Sequence, residues 1–408
     1  MADLLGFGTI LFVTLVTFII GARWPEISKI VFAALLLRIL IMLIGHYGVT
    51  LPDSTRDAVG FEWGAWERAK DGILNVLNNY PGMNMYFYQW IIAIPYSLFG
   101  RSVLMMQSIG LLFGVGNVLL GWLLAKKLWG NFTANKVGWV LALFPSLALY
   151  AILPLREVYA SFFLLIAMFG VVNWVRHDKF KSIILALFGF VAGTYFHGGI
   201  IIGAFIFSIF VFSRSFKKAL KSILSFRINL KSFTIIFLTV IFLLSYFSNK
   251  IFIPKFGKFK DITNLNRMYH EVGNRLIGDA SYPDWLKVEE PTEIIYKGPI
   301  RITFLLFSPF PWDVEKPSHL VGMFDGFLYI ILIYLIFRNI RVIWKDPALK
   351  IIFIILVFYI MIFAFGVSNF GAGIRHRSKF LVEIVILAAP LLPKLTFPIK
   401  EKLRRYLR

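Results

Sequence analysis

Cysteine is absent from this chain of 408 residues, which excludes a disulfide framework, a haem thiolate and a thiol nucleophile. Acidic residues are few, 22 Asp and Glu against 43 Lys and Arg. There is no fixed-period repeat and no low-complexity linker, so residues 1–408 read as one membrane domain rather than a string of modules. The first apolar run has neither a basic leading segment nor a small-residue cleavage site, and is expected to be a retained helix.

What the chain has in abundance is apolar sequence. Hydrophobic residues make up 58% of it and the mean hydropathy is +0.75, whereas ordinary soluble domains are about 45–50% apolar. Runs of the length a bilayer-crossing helix needs, roughly 17–25 residues, recur throughout. The expected fold is an all-α integral membrane protein with about eleven transmembrane helices, near 3–21, 29–47, 103–125, 137–153, 157–174, 182–197, 199–213, 232–248, 320–337, 349–366 and 380–393. Two outer loops, 48–102 and 249–319, interrupt the series. Met83 to Phe99, aromatic and broken by Pro95, is expected to lie at the interface as a juxtamembrane helix. Ile300 to Trp312, with Pro309 and Pro311, suggests a re-entrant or surface element.

The net charge of +21 does not point to nucleic acid, because the cations sit in short hinges. These hold Lys126, Lys127 and Lys136; Arg176, Lys179 and Lys181; Arg214 to Lys231; Arg338, Arg341 and Lys345; and a tail with Lys400, Lys402, Arg404, Arg405 and Arg408. Such hinges stay cytoplasmic and attract anionic lipid headgroups. The expected topology has the N-terminus outside and the C-terminus inside a plasma or inner membrane.

Four polar stretches then converge on the outer side. They are Leu51 to Glu62, Leu153-Pro-Leu-Arg-Glu157, Tyr195-Phe-His-Gly-Gly199, and Ser368-Asn-Phe-Gly-Ala-Gly-Ile-Arg-His-Arg-Ser-Lys379. Ionisable groups at membrane depth are costly and usually functional. Arg156 and Glu157 also suit a plain interfacial ion pair, and His197 a satisfied turn residue. The cations of 375–379 oppose the positive-inside preference and call for an anion. Arg375, Arg377 and Lys379, with Arg156, are the candidate phosphate ligands, and Gly371 and Gly373 allow close backbone approach.

A carboxylate loop beside a cation cluster suits sugar transfer from a lipid-linked phosphate. An Asp deprotonates the incoming hydroxyl, and cations stabilise charge on the departing phosphate. Asp57 is the first candidate base and Asp53 the second. His197, Glu157 and His376 are candidates for positioning acceptor or donor. No metal site is declared and no cofactor is assigned, although Asp53 and Asp57 have the chemistry to share a divalent cation. Tyr269, His270, Tyr282 and Trp285 of the second loop suit sugar stacking or interfacial anchoring.

At these residues the chain resembles the GT-C class of membrane glycosyltransferases, especially bacterial members that use undecaprenyl-linked sugars. Asp57, Phe61 and Ala65 match that class's spaced Asp, aromatic and Ala, with Gly72 following. Pro81, Tyr86, Tyr88 and Leu98-Phe-Gly-Arg-Ser102 resemble its juxtamembrane segment. Ala142, Pro145 and Arg156-Glu157 resemble the next stretch, and Arg375-His376-Arg377 its late basic segment. The likeness covers most of the chain and is strongest over 48–175. The chain departs from the pattern in an additional N-terminal span, in having no second acid immediately beside Asp57, and in lacking a large soluble C-terminal domain. The first and third departures are similar to polysaccharide polymerases of the O-antigen and exopolysaccharide type.

The resemblance implies a polyprenyl-linked sugar donor, a glycan or lipid-linked acceptor, and transfer of one sugar or a whole repeat unit. A lipid-linked sugar flippase or transporter is the competing class, against which stand the missing repeat and the long charged loop. A scaffold role is the plainest alternative.

Overall fold

A computed structural model describes residues 2–226, 229–250, 252, 257–258 and 280–394. The expected cationic tail from Lys400 to Arg408, Arg227, and the loop residues Tyr269 and His270 lie outside the described residues. Among those described, the chain is helical and has no strand. In order the helices are α1 (Ala2–Arg23), α2 (Ser28–Tyr47), α3 (Asp57–Ala69), α4 (Ile73–Asn78), α5 (Phe87–Phe99), α6 (Val103–Trp129), α7 (Asn131–Leu143), α8 (Pro145–Tyr150), α9 (Glu157–His177), α10 (Phe180–Phe196), α11 (Ile201–Leu224) and α12 (Leu230–Phe247). After the second loop come α13 (Ile294–Phe307), α14 (Pro317–Lys345), α15 (Pro347–Gly366), α16 (Phe370–Ser378) and α17 (Leu381–Ala388).

Eight of the described helices are long and apolar enough to cross a membrane. They fall in eight of the eleven expected segments; the other three are helical but shorter or broken. The segment at 182–197 is α10, with 17 residues. The last, 380–393, is α17 followed by a 3-10 turn from Ala389 to Leu391. The segment 137–153 is broken. Phe144 is extended, at φ −65° and ψ 126°, and Pro145 opens α8, because a proline disfavours helical geometry in the residue before it.

Arg38 accounts for two of the carbonyls freed at that break. Continuing the helix would pair the Leu141 carbonyl with the N–H of residue 145, which proline lacks. The Ala142 carbonyl would need the Ser146 N–H, which instead donates to Asp325 at 3.2 Å. Arg38 of α2, 1% exposed, replaces both donors. Its guanidinium reaches the carbonyls of Ala142 at 2.9 Å and Leu141 at 3.1 Å. A cation within a membrane helix is thereby engaged by backbone oxygens rather than by a carboxylate.

Small residues let α9 and α10 pack closely. A Cβ on Gly170 would stand 2.3 Å from the Ala186 nitrogen, and one on Gly189 2.4 Å from the Ala167 nitrogen. Close backbone approach through small residues is how membrane helices gain packing contact without a hydrophobic driving force.

The bundle has two chemically different ends. At one, the basic hinges are tied by ion pairs: Lys126 to Glu26 at 2.6 Å, Arg176 to Asp346, and Lys218 and Lys231 to Asp178. Helix α11 runs past its expected end into this region, where Arg214 stacks over Trp174 at 5.1 Å. The other end holds the C-terminus of α2, the N-termini of α6 and α9, and the C-termini of α10 and α15. Helix α9 separates the two by about 30 Å, at 1.5 Å of rise per residue. Over that second end lie α3, α5 and α16. Glu62 anchors α3 there, accepting from Arg101 at 2.7 and 3.0 Å and from the Tyr96 hydroxyl at 3.0 Å. The expected interfacial segment is α5, and the expected element at 300–312 is α13 with a turn after it. Arg301 ties α13 to the end of α15 through the carbonyls of Ala364 and Val367, at 3.1 and 2.7 Å.

Candidate functional site

The site is built at this end from four distant stretches. Loop residues 49–56 lead from α2 into α3, with Asp53 at φ 58° and Arg56 at φ 45°. Left-handed backbone is strained for residues other than glycine, and Asp tolerates it better than most. The two turns present Asp53 and Asp57 in different directions.

Helix α16 supplies the cations. Asn369 caps it, accepting from the Ala372 N–H at 2.7 Å. The second loop pins its start, with Phe370 donating to the Ala280 carbonyl at 2.9 Å and Tyr282 to Ser368 at 2.8 Å. Arg375 projects into the gap between α3 and α9. It donates to Asp57 at 2.6 Å and to Glu157 at 3.3 Å. Arg375 is 16% exposed and Asp57 63% exposed, so the pair sits at the rim with its carboxylate in solvent. Burial works against the Arg375 charge, but Glu157, Asp57 and Asp53 outweigh it and raise its pKa.

Behind Arg375 the site is enclosed. Lys379 lies 3.4 Å from Glu157 and 2.7 Å from His376 Nδ1. Burial lowers the Lys379 ammonium to about 7, with Glu157 opposing and Arg375 reinforcing the drop. His376 is pushed well down by burial and by Lys379 and Arg375, so its ring is neutral and Nδ1 accepts from the ammonium. His197 faces His376 with ring centroids 5.1 Å apart, and Phe363 packs against both. Arg156 stacks over Phe61 at 4.7 Å. Its Nε, and Oε2 of Glu157, are buried with no hydrogen-bond partner.

Asp53 faces the other way and accepts from the Tyr150 hydroxyl at 2.7 Å. Burial raises its carboxyl, while Tyr150 and Arg375 pull it down. It lines a cavity of about 160 Å³ with Tyr150, Ser146, His319 and Asp325. A larger cleft of about 550 Å³ opens on the opposite face of the loop, between α2, α3 and α6.

Of the residues expected from sequence, Asp53, Asp57, Arg156, Glu157, His197, Arg375, His376 and Lys379 are thus brought together. Arg377 is not among them. It is 0% exposed and bound to Asp325 at 3.0 Å, with further bonds to the carbonyls of Leu306 and Ser308 at 2.9 and 2.7 Å. Its donors are engaged inside the protein and do not meet a phosphate in this arrangement. The cause is helical geometry: residues four apart share a face, whereas 377 is turned about 200° from 375. Lys379 is also fully enclosed, against Glu157 and His376. Arg375 and Arg156 keep partial exposure.

Sequence reasoning missed Tyr150, Asp325 and Glu62. Asp325 had a signal, a lone carboxylate inside an apolar run. Tyr150 had none. Among the described residues there is no group of three or more His, Asp or Glu at metal-ligand spacing. Asp53 and Asp57 are engaged by Tyr150 and Arg375 respectively. No family model, curated protein or solved structure matches the chain.

Proposed function

We propose that this protein is a membrane glycosyltransferase, taking a sugar from a polyprenyl phosphate or pyrophosphate donor on the non-cytoplasmic face, in cell-envelope glycan assembly. One observation carries the reading: Arg375 stands between Asp57 and Glu157, at 2.6 and 3.3 Å, at the mouth of an apolar bundle. Glycosyl transfer needs a carboxylate and a fork of N–H donors side by side. A donor with a long lipid tail needs them at a membrane surface. The basic hinges at the far end support an outward-facing site through the positive-inside preference.

In the resting site Asp57 neutralises Arg375. An arriving phosphate takes over the guanidinium with Arg156 beside it, and Asp57 is released toward the acceptor hydroxyl. That hydroxyl gives its proton to Asp57 as its oxygen bonds to the sugar's anomeric carbon. The bond to the phosphate oxygen breaks, and the phosphate leaves with the electron pair under the charge of Arg375. Attack opposite the leaving group inverts the anomeric centre.

The test is incubation of the purified protein with radiolabelled lipid-linked sugar and a panel of acceptors. One added sugar identifies a transferase and a ladder identifies a repeat-unit polymerase. Accelerated lipid translocation in vesicles with no product would replace the reading by a flippase. Asp57→Asn should abolish transfer with expression and folding unchanged; wild-type turnover in that variant removes Asp57 as the base.

A further inference from the structure

The cleft of about 550 Å³ beside the aspartate loop is not used by the chemistry above. Its volume falls within the roughly 300–1,000 Å³ usual for ligand sites. Ala58, Val59 and Glu62 line it from one face of α3, at i, i+1 and i+4, with Thr55 of the preceding turn beside them. Val103 and Gln107, one turn apart at the start of α6, form the facing wall, with Leu153 and Pro154 beside them.

The lining contains no Lys or Arg. Its carboxylate, Glu62, is already held by Arg101 and Tyr96, and His46 lies 3.7 Å from Asp3. One strong hydrogen-bonding group is left over. Gln107 is 6% exposed, and its Oε1 is buried with no partner. A desolvated carbonyl oxygen without a donor is costly, and the side chain that carries it lines the cleft. The hydroxyls of Thr50 and Thr55 add further polar contacts, while Ala58, Val59, Val103, Leu153 and Pro154 present apolar surface. Neutral hydrogen-bonding groups interleaved with small apolar ones suit sugar rings, which offer hydroxyls at their edges and C–H groups on their faces.

We infer that this cleft binds the glycan portion of a substrate as an uncharged oligosaccharide, leaving the phosphate to the arginines on the other side of α3. The inference rests on the glycosyl-transfer reading for its biological sense, but binding is measurable without turnover. Thr55 and Ala58 flank the turn that carries Asp57, so a sugar seated here ends within reach of that carboxylate.

The experiment is glycan-array and titration binding of full-length protein in lipid nanodiscs, with neutral and uronate-containing oligosaccharides as probes. Saturable binding of neutral oligosaccharides is expected, weakened about tenfold by Gln107→Leu, the worth of one hydrogen bond. Thr55→Trp, at an exposed position, should fill the cleft and abolish binding. Absence of neutral-glycan binding, a preference for uronates, or full affinity in both cleft variants would overturn the inference. Binding without transfer from any lipid-linked donor removes the proposed reaction and leaves the cleft. Transfer without such binding removes the cleft alone.

Discussion

The hydroxyl of Tyr150 donates to Asp53 at 2.7 Å, linking the short helix after the Pro145 break to the strained loop that carries both aspartates. Burial raises the Asp53 carboxyl above its ordinary range and this bond holds it down. Tyr150→Phe should therefore move Asp53 further up. A raised carboxyl binds its proton more tightly in the folded state, so its contribution to stability falls as pH rises from the unfolded toward the folded value. If Asp53 must be ionised for turnover, the acidic limb of the pH–rate profile shifts to higher pH in Tyr150→Phe. A superimposable profile would show that Asp53 does not titrate in the reaction.

Lys379 gives a second pH dependence with opposite signs in rate and stability. Its ammonium, enclosed beside His376 and Arg375, is lowered to about 7. Above that value the folded protein has released a proton that the unfolded chain still binds, so stability rises with pH from about 7 toward the ordinary lysine value. Over the same range the site loses a positive charge, and a reaction that expels phosphate slows. Rate should fall while the thermal midpoint climbs between pH 7 and 9. Lys379→Met should remove both trends, and a midpoint that declines over this range would show the lysine to be charged throughout.

Arg375 and Arg377 are two residues apart yet should behave as different classes of variant. Arg377 and Asp325 are 0% and 1% exposed, and removing one partner of a buried pair strands the other at a cost of about 3–5 kcal/mol. Arg377→Met should lower the unfolding midpoint in detergent steeply, and adding Asp325→Leu should recover part of the loss. The carbonyls that Arg377 also served keep the recovery incomplete. Arg375→Met leaves the enclosed Glu157 with Lys379 as its remaining cation, so it should lower the midpoint less than Arg377→Met does and abolish transfer. Equal destabilisation by the two would mean Arg375 is a structural cation.

Much of the helical framework was legible because apolar runs of bilayer length have few alternatives to a helix. The grouping of Asp57, Glu157 and Arg375 was legible through topology, since alternating spans bring distant hinges to one face. The separation of Arg377 from Arg375 was available from helical spacing alone, once 370–378 was read as a helix rather than a loop. Other features depend on pairings no local pattern carries. Arg38 meets Leu141 and Ala142 across more than a hundred residues, and Tyr150 meets Asp53 across 97. Nor does loop composition announce the left-handed turn at Arg56, a residue type that rarely enters that region.

The break between α7 and α8 allows a test of cause rather than of importance. Two carbonyls lack helical partners there, one because Pro145 has no N–H and one because Ser146 donates to Asp325. Arg38 serves both. Arg38→Met should cost about 1–3 kcal/mol for each carbonyl left unpaired in the interior, and should loosen the helix that positions Tyr150. Pro145→Ala restores a donor for Leu141 but none for Ala142. In the background of Arg38→Met it should therefore regain part of the lost stability, whereas in the wild-type background it has no unpaired carbonyl to satisfy. A double-mutant cycle on unfolding midpoints reads this directly as a favourable coupling between two residues on different helices. Strictly additive effects would mean that Arg38 stabilises the bundle by some route other than the exposed carbonyls at the proline.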